Sequence, residues 1–184
     1  MHTTRSASAR YTGPAIALHW LMALVIIGLF VLGVYMHDLP FSPTKLKLYS
    51  WHKWGGVCVF LLLWVRLTWR LTHRPPALPA HMQGLLRLAA HAGHHVLYLL
   101  MLAVPLSGWL MSSAKGFQTV LFGVFPIPDL LTKDVALGET LQQLHFVLNM
   151  VLLIVVVGHV AAAIKHHVID KDDVLTRMLP GRKP

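Results

Sequence analysis

This sequence has little charge. Asp, Glu, Lys and Arg make up 12% of its 184 residues, and only 7 of them are acidic. A soluble domain carries roughly a quarter charged residues. With 55% of the chain hydrophobic, most of its surface must face hydrocarbon rather than water. Cysteine is nearly absent. The single Cys58 excludes an intrachain disulfide and any C-x-x-C-H motif for covalent cofactor attachment, and it reads as a small packed residue in an apolar stretch. Internal repeats and low-complexity tracts are also lacking, so residues 1–184 read as one domain. No small-residue cleavage site follows the first apolar run, which is too long for a signal-peptide core and is read as a retained span.

Three stretches contain no Asp, Glu, Lys or Arg at all: 11–36, 88–114 and 140–164. Each is long enough to cross ~30 Å of hydrocarbon at ~1.5 Å per residue. A fourth, about 49–71, has a charge-free centre of only 12 residues, 54–65. Lys53 and Arg66 can snorkel to opposite interfaces, and Trp51, Trp54, Trp64 and Trp69 gather at its two ends as interfacial aromatics do. The sequence therefore predicts an all-α integral membrane four-helix bundle with helices at about 13–36, 49–71, 89–112 and 140–167. Connections fall at 37–48, 72–87 and 112–139, the last with an FGVFPIPDLL stretch suited to the interface.

Counting Lys and Arg orients the bundle. With the N-terminus inside, the inner segments hold Arg5, Arg10, Arg66, Arg70, Arg74, Arg87, Lys165, Lys171, Arg177, Arg182 and Lys183. The outer segments hold only Lys45, Lys47, Lys53, Lys115 and Lys133. This bias predicts both termini in the cytoplasm. It also makes the basic balance a topology signal, not a nucleic-acid footprint.

Histidine is abundant instead, with 13 in so apolar a chain, and ionisable groups inside a span are costly and usually functional. His145 and His159 lie 14 residues apart on the last helix. Fourteen steps return to within about 40° of one face, with a rise of roughly 21 Å. His19 falls at the inner level and His52 at the outer level. Two pairs result: His19 with His159, and His52 with His145. Two imidazoles from different helices can take both axial positions of a haem iron, so the pairs predict two bis-histidine b-type haems and one-electron transfer across the bilayer. Fourteen residues after His52 comes Arg66, placed to pair with a propionate of the inner haem. Fourteen after His19 comes Gly33, which leaves room at the outer one. Other small residues, Gly55, Gly56 and Gly158, suit a flat macrocycle and ordinary helix packing equally.

The remaining histidines carry less. His91, His94 and His95 open the third helix; His91 with His95 has zinc-like i, i+4 spacing but no further ligand, and His95 is an alternative ligand at the inner haem. His166 and His167 end the fourth helix, where they suit haem propionates or a quinone headgroup. His2, His37, His73 and His81 read as solvated residues of tails and loops.

The segments IALHW, WHKWGGVCVFLLLWVRLTWRL followed by RPP, AAHAGHHVLYLLMLAVPLSGW and HVAAAIKHHVIDKDDVLTRMLP, in that order, resemble the bacterial di-haem cytochrome b561 family from about residue 11 to 180. The resemblance implies four transmembrane helices in the bacterial inner membrane, two haem b groups and ligands at His19, His52, His145 and His159. It further implies electron exchange with ubiquinone. In length and C-terminal tail the chain is similar to a branch described as superoxide oxidase, in which superoxide at the outer surface is the donor. Lys45, Lys47 and Lys53 against Asp38 alone form an outer basic patch that suits such an anion. The competing expectations are an electron-transfer subunit serving a dehydrogenase or periplasmic redox partner, and a non-redox metal transporter.

Overall fold

The computed structural model describes residues 10–79 and 81–181. Arg5, Arg182 and Lys183 of the charge count, and His2, lie outside the described residues. Four long helices, α1 (Gly13–His37), α2 (Pro43–Thr72), α3 (Gly84–Ala114) and α4 (Val135–Val168), account for most of the chain. A two-stranded hairpin, β1 (Val120–Leu121) with β2 (Phe125–Pro126), joins α3 to α4, and a short 3₁₀ turn (Thr176–Met178) ends the fold. All four helices are long and apolar enough to cross a membrane. The protein is an all-α four-helix membrane bundle.

Three of the helices begin earlier than hydropathy predicts, and local chemistry explains two of them. Helix α2 starts at Pro43 rather than 49, because Ser42 caps it by accepting the Lys45 N–H at 3.2 Å and proline suits the first helical position. Helix α4 starts at Val135 rather than 140, with the Asp134 carboxylate accepting the Leu137 N–H at 3.0 Å. Helix α3 starts at Gly84 rather than 89. Apolar run length reports only the stretch inside hydrocarbon, whereas caps set the helix end, so the ends project past the bilayer core. The 112–139 connection folds locally as the hairpin, turned by Phe122 and Gly123 at φ 52° and 75°.

Packing is inverted relative to a soluble protein. A small buried cluster of Met22, Val59 and Leu63 joins α1 and α2, with Tyr98, Met101 and Leu102 of α3 packed on it. Leu24 and Ile154, by contrast, are 68% and 70% exposed on the outside, the surface that hydrocarbon covers. Helix α1 packs on α2, α2 on α3 and α3 on α4. Among the described residues, the α4 backbone packs closely along α3 and along neither α1 nor α2.

Interfacial tryptophans anchor both ends. Trp54 donates to Val120 O of the hairpin at 2.7 Å, Trp109 to Pro128 O at 3.0 Å, and Trp69 to Thr12 Oγ1 at 2.8 Å. The C-terminal tail folds back over the first helix. Trp20 donates to Met178 O at 2.7 Å, Arg10 donates to Leu179 O, and Arg177 donates to Ala77 O at 2.6 Å. Lys165 grips Asp170 (2.6 and 2.7 Å) and holds its carboxyl below the ordinary range.

One packing test follows. A Cβ on Gly138 would stand 2.6 Å from Lys115 Cγ and 3.3 Å from its backbone nitrogen, whereas Gly28 has open space. Gly138→Leu is expected to destabilise by about 1–3 kcal/mol through overpacking, and Gly28→Leu to be neutral. Thermal unfolding of the two variants in detergent, followed by tryptophan fluorescence, checks this.

Candidate functional site

The four intramembrane histidines meet in two pairs. His19 of α1 and His159 of α4 face each other with ring centroids 6.2 Å apart. His52 of α2 and His145 of α4 do so at 6.4 Å. Two imidazoles reaching one ion from opposite sides, at ~2 Å per metal–nitrogen bond, put their centroids roughly 6 Å apart. Helix α4 supplies one ring to each pair, from the two ends of its span. It does so across the seams where its backbone stands away from α1 and α2.

The surroundings of His145 fix its tautomer. Its Nδ1 lies 3.1 Å from Val104 O and 2.9 Å from Ser107 Oγ, and that hydroxyl donates to the same carbonyl at 2.7 Å. With the Ser107 hydrogen committed to the carbonyl, both oxygens facing Nδ1 can only accept, so Nδ1 carries the proton and Nε2 keeps its lone pair. A carbonyl partner of this kind is the usual orienting group behind a metal-bound imidazole. His52 packs against α1, with the Leu29 backbone as its hydrogen-bonding neighbour there.

Glycine abuts both members of this pair. A Cβ at Gly33 would approach His52 Cε1 to 3.3 Å, and one at Gly108 would approach His145 Cε1 to 3.1 Å. Gly33 is where the fourteen-residue step from His19 puts it; Gly108 is additional. Gly55 instead serves helix packing, with its absent Cβ 2.6 Å from Leu29 Cδ2.

At the other pair, Arg66 does not snorkel outward. It turns into the bundle and donates through Nη2 to His19 Nδ1 at 3.3 Å, while its Nη1 is buried with no partner. A buried guanidinium with one free donor suits an acidic group beside the imidazoles.

His94, not His95, is the third ring at this level. His94 is half-buried and its centroid lies 5.5 Å from that of His159. Its Nδ1 donates to Ala90 O at 2.7 Å, on its own helix. His95 is exposed and bonded back to His91 O at 2.7 Å, and His91 is exposed too. The missing signal was the same fourteen-residue step: from Gly108, which faces His145, it leads back along α3 to His94, which faces His159.

His166 turns Nδ1 to Asp172 (2.7 Å) and Asp170 (3.2 Å), while His167 is exposed. Three histidines read as solvated are engaged: His37 reaches Asp38 at 2.8 Å, His73 stacks on Trp69 at 3.9 Å, and His81 reaches Asp172 at 3.4 Å.

The chain matches the family described as prokaryotic cytochrome b561 over residues 10–181. Cytochrome b561 homolog 2 of Escherichia coli (strain K12) is 39% identical over 171 residues, 92% of this chain and 91% of the relative. A protein named probable superoxide oxidase CybB, from Yersinia pestis, is 28% identical over 179 residues, 95% and 98% of the two chains.

The glycine contacts give a test. Gly33→Leu and Gly108→Leu are expected to push the adjacent rings aside and lower bound haem while helical circular dichroism stays unchanged. Unaltered haem per chain in both variants would show that these rings are not haem contacts.

Proposed function

This chain belongs to the prokaryotic cytochrome b561 family and is therefore a haem-binding, electron-transfer protein of the bacterial membrane; we propose that it holds two b haems, one at each histidine pair. The observation that carries this reading is the recurrence, at two levels of one helix, of imidazoles facing at 6.2 and 6.4 Å. His19 with His159 would hold one haem and His52 with His145 the other. Bound there, haem would supply a one-electron couple.

The remaining residues orient and tune. The Val104 carbonyl holds His145 so that Nε2 is the coordinating atom. For His19 to coordinate through Nε2 its ring proton must sit on Nδ1, so Arg66 would release that nitrogen and turn to a propionate, and its positive charge would favour the reduced state of the iron beside it. His94 lines the same level. His166 keeps Nε2 for a propionate or quinone headgroup, and exposed His167 lies in the headgroup layer with it. The cationic end of the bundle, with Arg10, Arg70, Arg74, Arg87, Lys165 and Arg177, faces the cytoplasm of the inner membrane.

On the opposite surface, Lys45 donates to the His37 carbonyl at 3.1 Å and Lys53 to Phe117 O at 2.8 Å. Lys47 lies over Trp51 at 5.1 Å. Asp129 partly offsets Lys53, and among the described residues no carboxylate is bonded to Lys45 or Lys47. This supports superoxide as the donor, the activity named for the Yersinia pestis relative. Two superoxide anions then lose one electron each to give two dioxygen, and one ubiquinone takes both electrons with two protons to give ubiquinol.

Three outcomes are expected. Wild type should contain two haems per chain by pyridine haemochrome assay, and His52→Ala and His159→Ala should each lose at least one. Arg66→Met should lower the potential of the inner haem by on the order of tens of millivolts, read by redox titration. Oxidised protein given stoichiometric superoxide should be reduced, at a rate that falls with ionic strength. Haems that stay oxidised would sink superoxide as donor, and a catalytic subunit that co-purifies would mark an electron-transfer subunit instead.

A further inference from the structure

Beyond the imidazole pairs, one cluster of metal-ligating side chains remains at the end of the bundle where α1 begins and α4 ends. His81, His166, Asp170 and Asp172 each offer one donor atom, and the four atoms lie within 4.8 Å of one another. Among the described residues this is the one such group. It joins three segments: the α2–α3 connection, the last turns of α4 and the tail. His166 is seven residues beyond His159, so the cluster stands roughly 10 Å further along α4.

The donors are set before any ion arrives. Asp172 accepts the Val174 N–H on Oδ1 at 3.1 Å, which directs Oδ2 to His166 Nδ1 (2.7 Å) and His81 Nε2 (3.4 Å). Asp170 Oδ2 is 3.2 Å from the same His166 nitrogen. The backbone N–H of Asp170 bonds back to Lys165 O at 3.1 Å, and that of Asp172 to His166 O at 3.0 Å. Between the two aspartates Lys171 has φ 53°, a left-handed conformation that L side chains rarely adopt. The side chains of His166, Asp170 and Asp172 are 14%, 20% and 10% exposed, withdrawn from water to an extent unusual for a tail. His81, at 54%, leaves a path from solvent.

Donors around a tetrahedral zinc ion, at bond lengths of ~2.0–2.2 Å, stand roughly 3.4 Å apart. Two of the three measured separations match that spacing, and the 2.7 Å contact is a hydrogen bond that an ion would open. Two imidazoles suit zinc over calcium or magnesium, which prefer oxygen alone. Two carboxylates balance its charge. Lys165 is the competing cation, bound to both oxygens of Asp170, and it has to release one of them.

We infer that His81, His166, Asp170 and Asp172 form a structural zinc site that clamps the α2–α3 connection and the C-terminal tail to the end of α4. This inference does not depend on the reading of the haem pairs.

The test uses full-length, haem-loaded protein in detergent, stripped with chelator and titrated with zinc chloride against a chromogenic chelator. One zinc per chain is expected, with X-ray absorption reporting two imidazole nitrogens and two oxygens. His81→Ala and Asp172→Asn should weaken binding by at least ~100-fold, beyond what a second-shell change costs, and His37→Ala should leave it unchanged. The site is overturned if wild type binds no zinc in competition, if His81→Ala and Asp172→Asn bind as tightly as wild type, or if the absorption spectrum lacks two imidazoles. His81→Ala alters an exposed loop residue, and its haem absorbance verifies that the bundle is intact.

Discussion

A bilayer offers no water to a stranded polar group, and the arrangement of this molecule follows from that. Backbone amides must close their hydrogen bonds within helices, so the chain crosses as four long helices and keeps irregular structure for the ends. Side chains with nitrogen or oxygen inside the span must find partners on facing helices. His145 finds the Val104 carbonyl and Arg66 finds His19. Within the span, Arg66 Nη1 is buried without a partner beside the His19–His159 pair. An unpaired donor is expensive in this medium, and in the proposed reading an acidic side group of the cofactor would meet it.

Chain order and packing reinforce this. Consecutive helices pack side by side, leaving α4 apart from α1 and α2 in backbone contact. The imidazoles cross those seams, and glycines at 33 and 108 let them approach the neighbouring helix. The apolar exterior and the sparse core are two sides of one choice. Lipid does the covering that water-soluble proteins obtain from a second layer of structure.

Much of this was legible from residue spacing alone. The fourteen-residue step connected His145 with His159, His19 with Gly33 and His52 with Arg66, and the structure gathers each of them beside the histidine of the facing level. Charge-free runs located the spans but not their ends, since Ser42 and Asp134 act through capping geometry that hydropathy does not weigh. His94 was missed because three histidines crowd one turn, and only helix phase separates the ring facing His159 from the two facing out. The engagement of His81 with Asp172 was not readable, because 91 residues separate them and only the folded tail brings them together.

Helix α4 contributes a ring to both pairs, and it is the last of the four to leave the ribosome. Neither pair can close until the fourth span has been synthesised and has joined the other three. Three helices must therefore wait in the membrane with His19 and His52 lacking the rings they face in the finished bundle. That makes the half-finished bundle the form most in need of protection, and in the proposed reading haem can be seated only once α4 is in place.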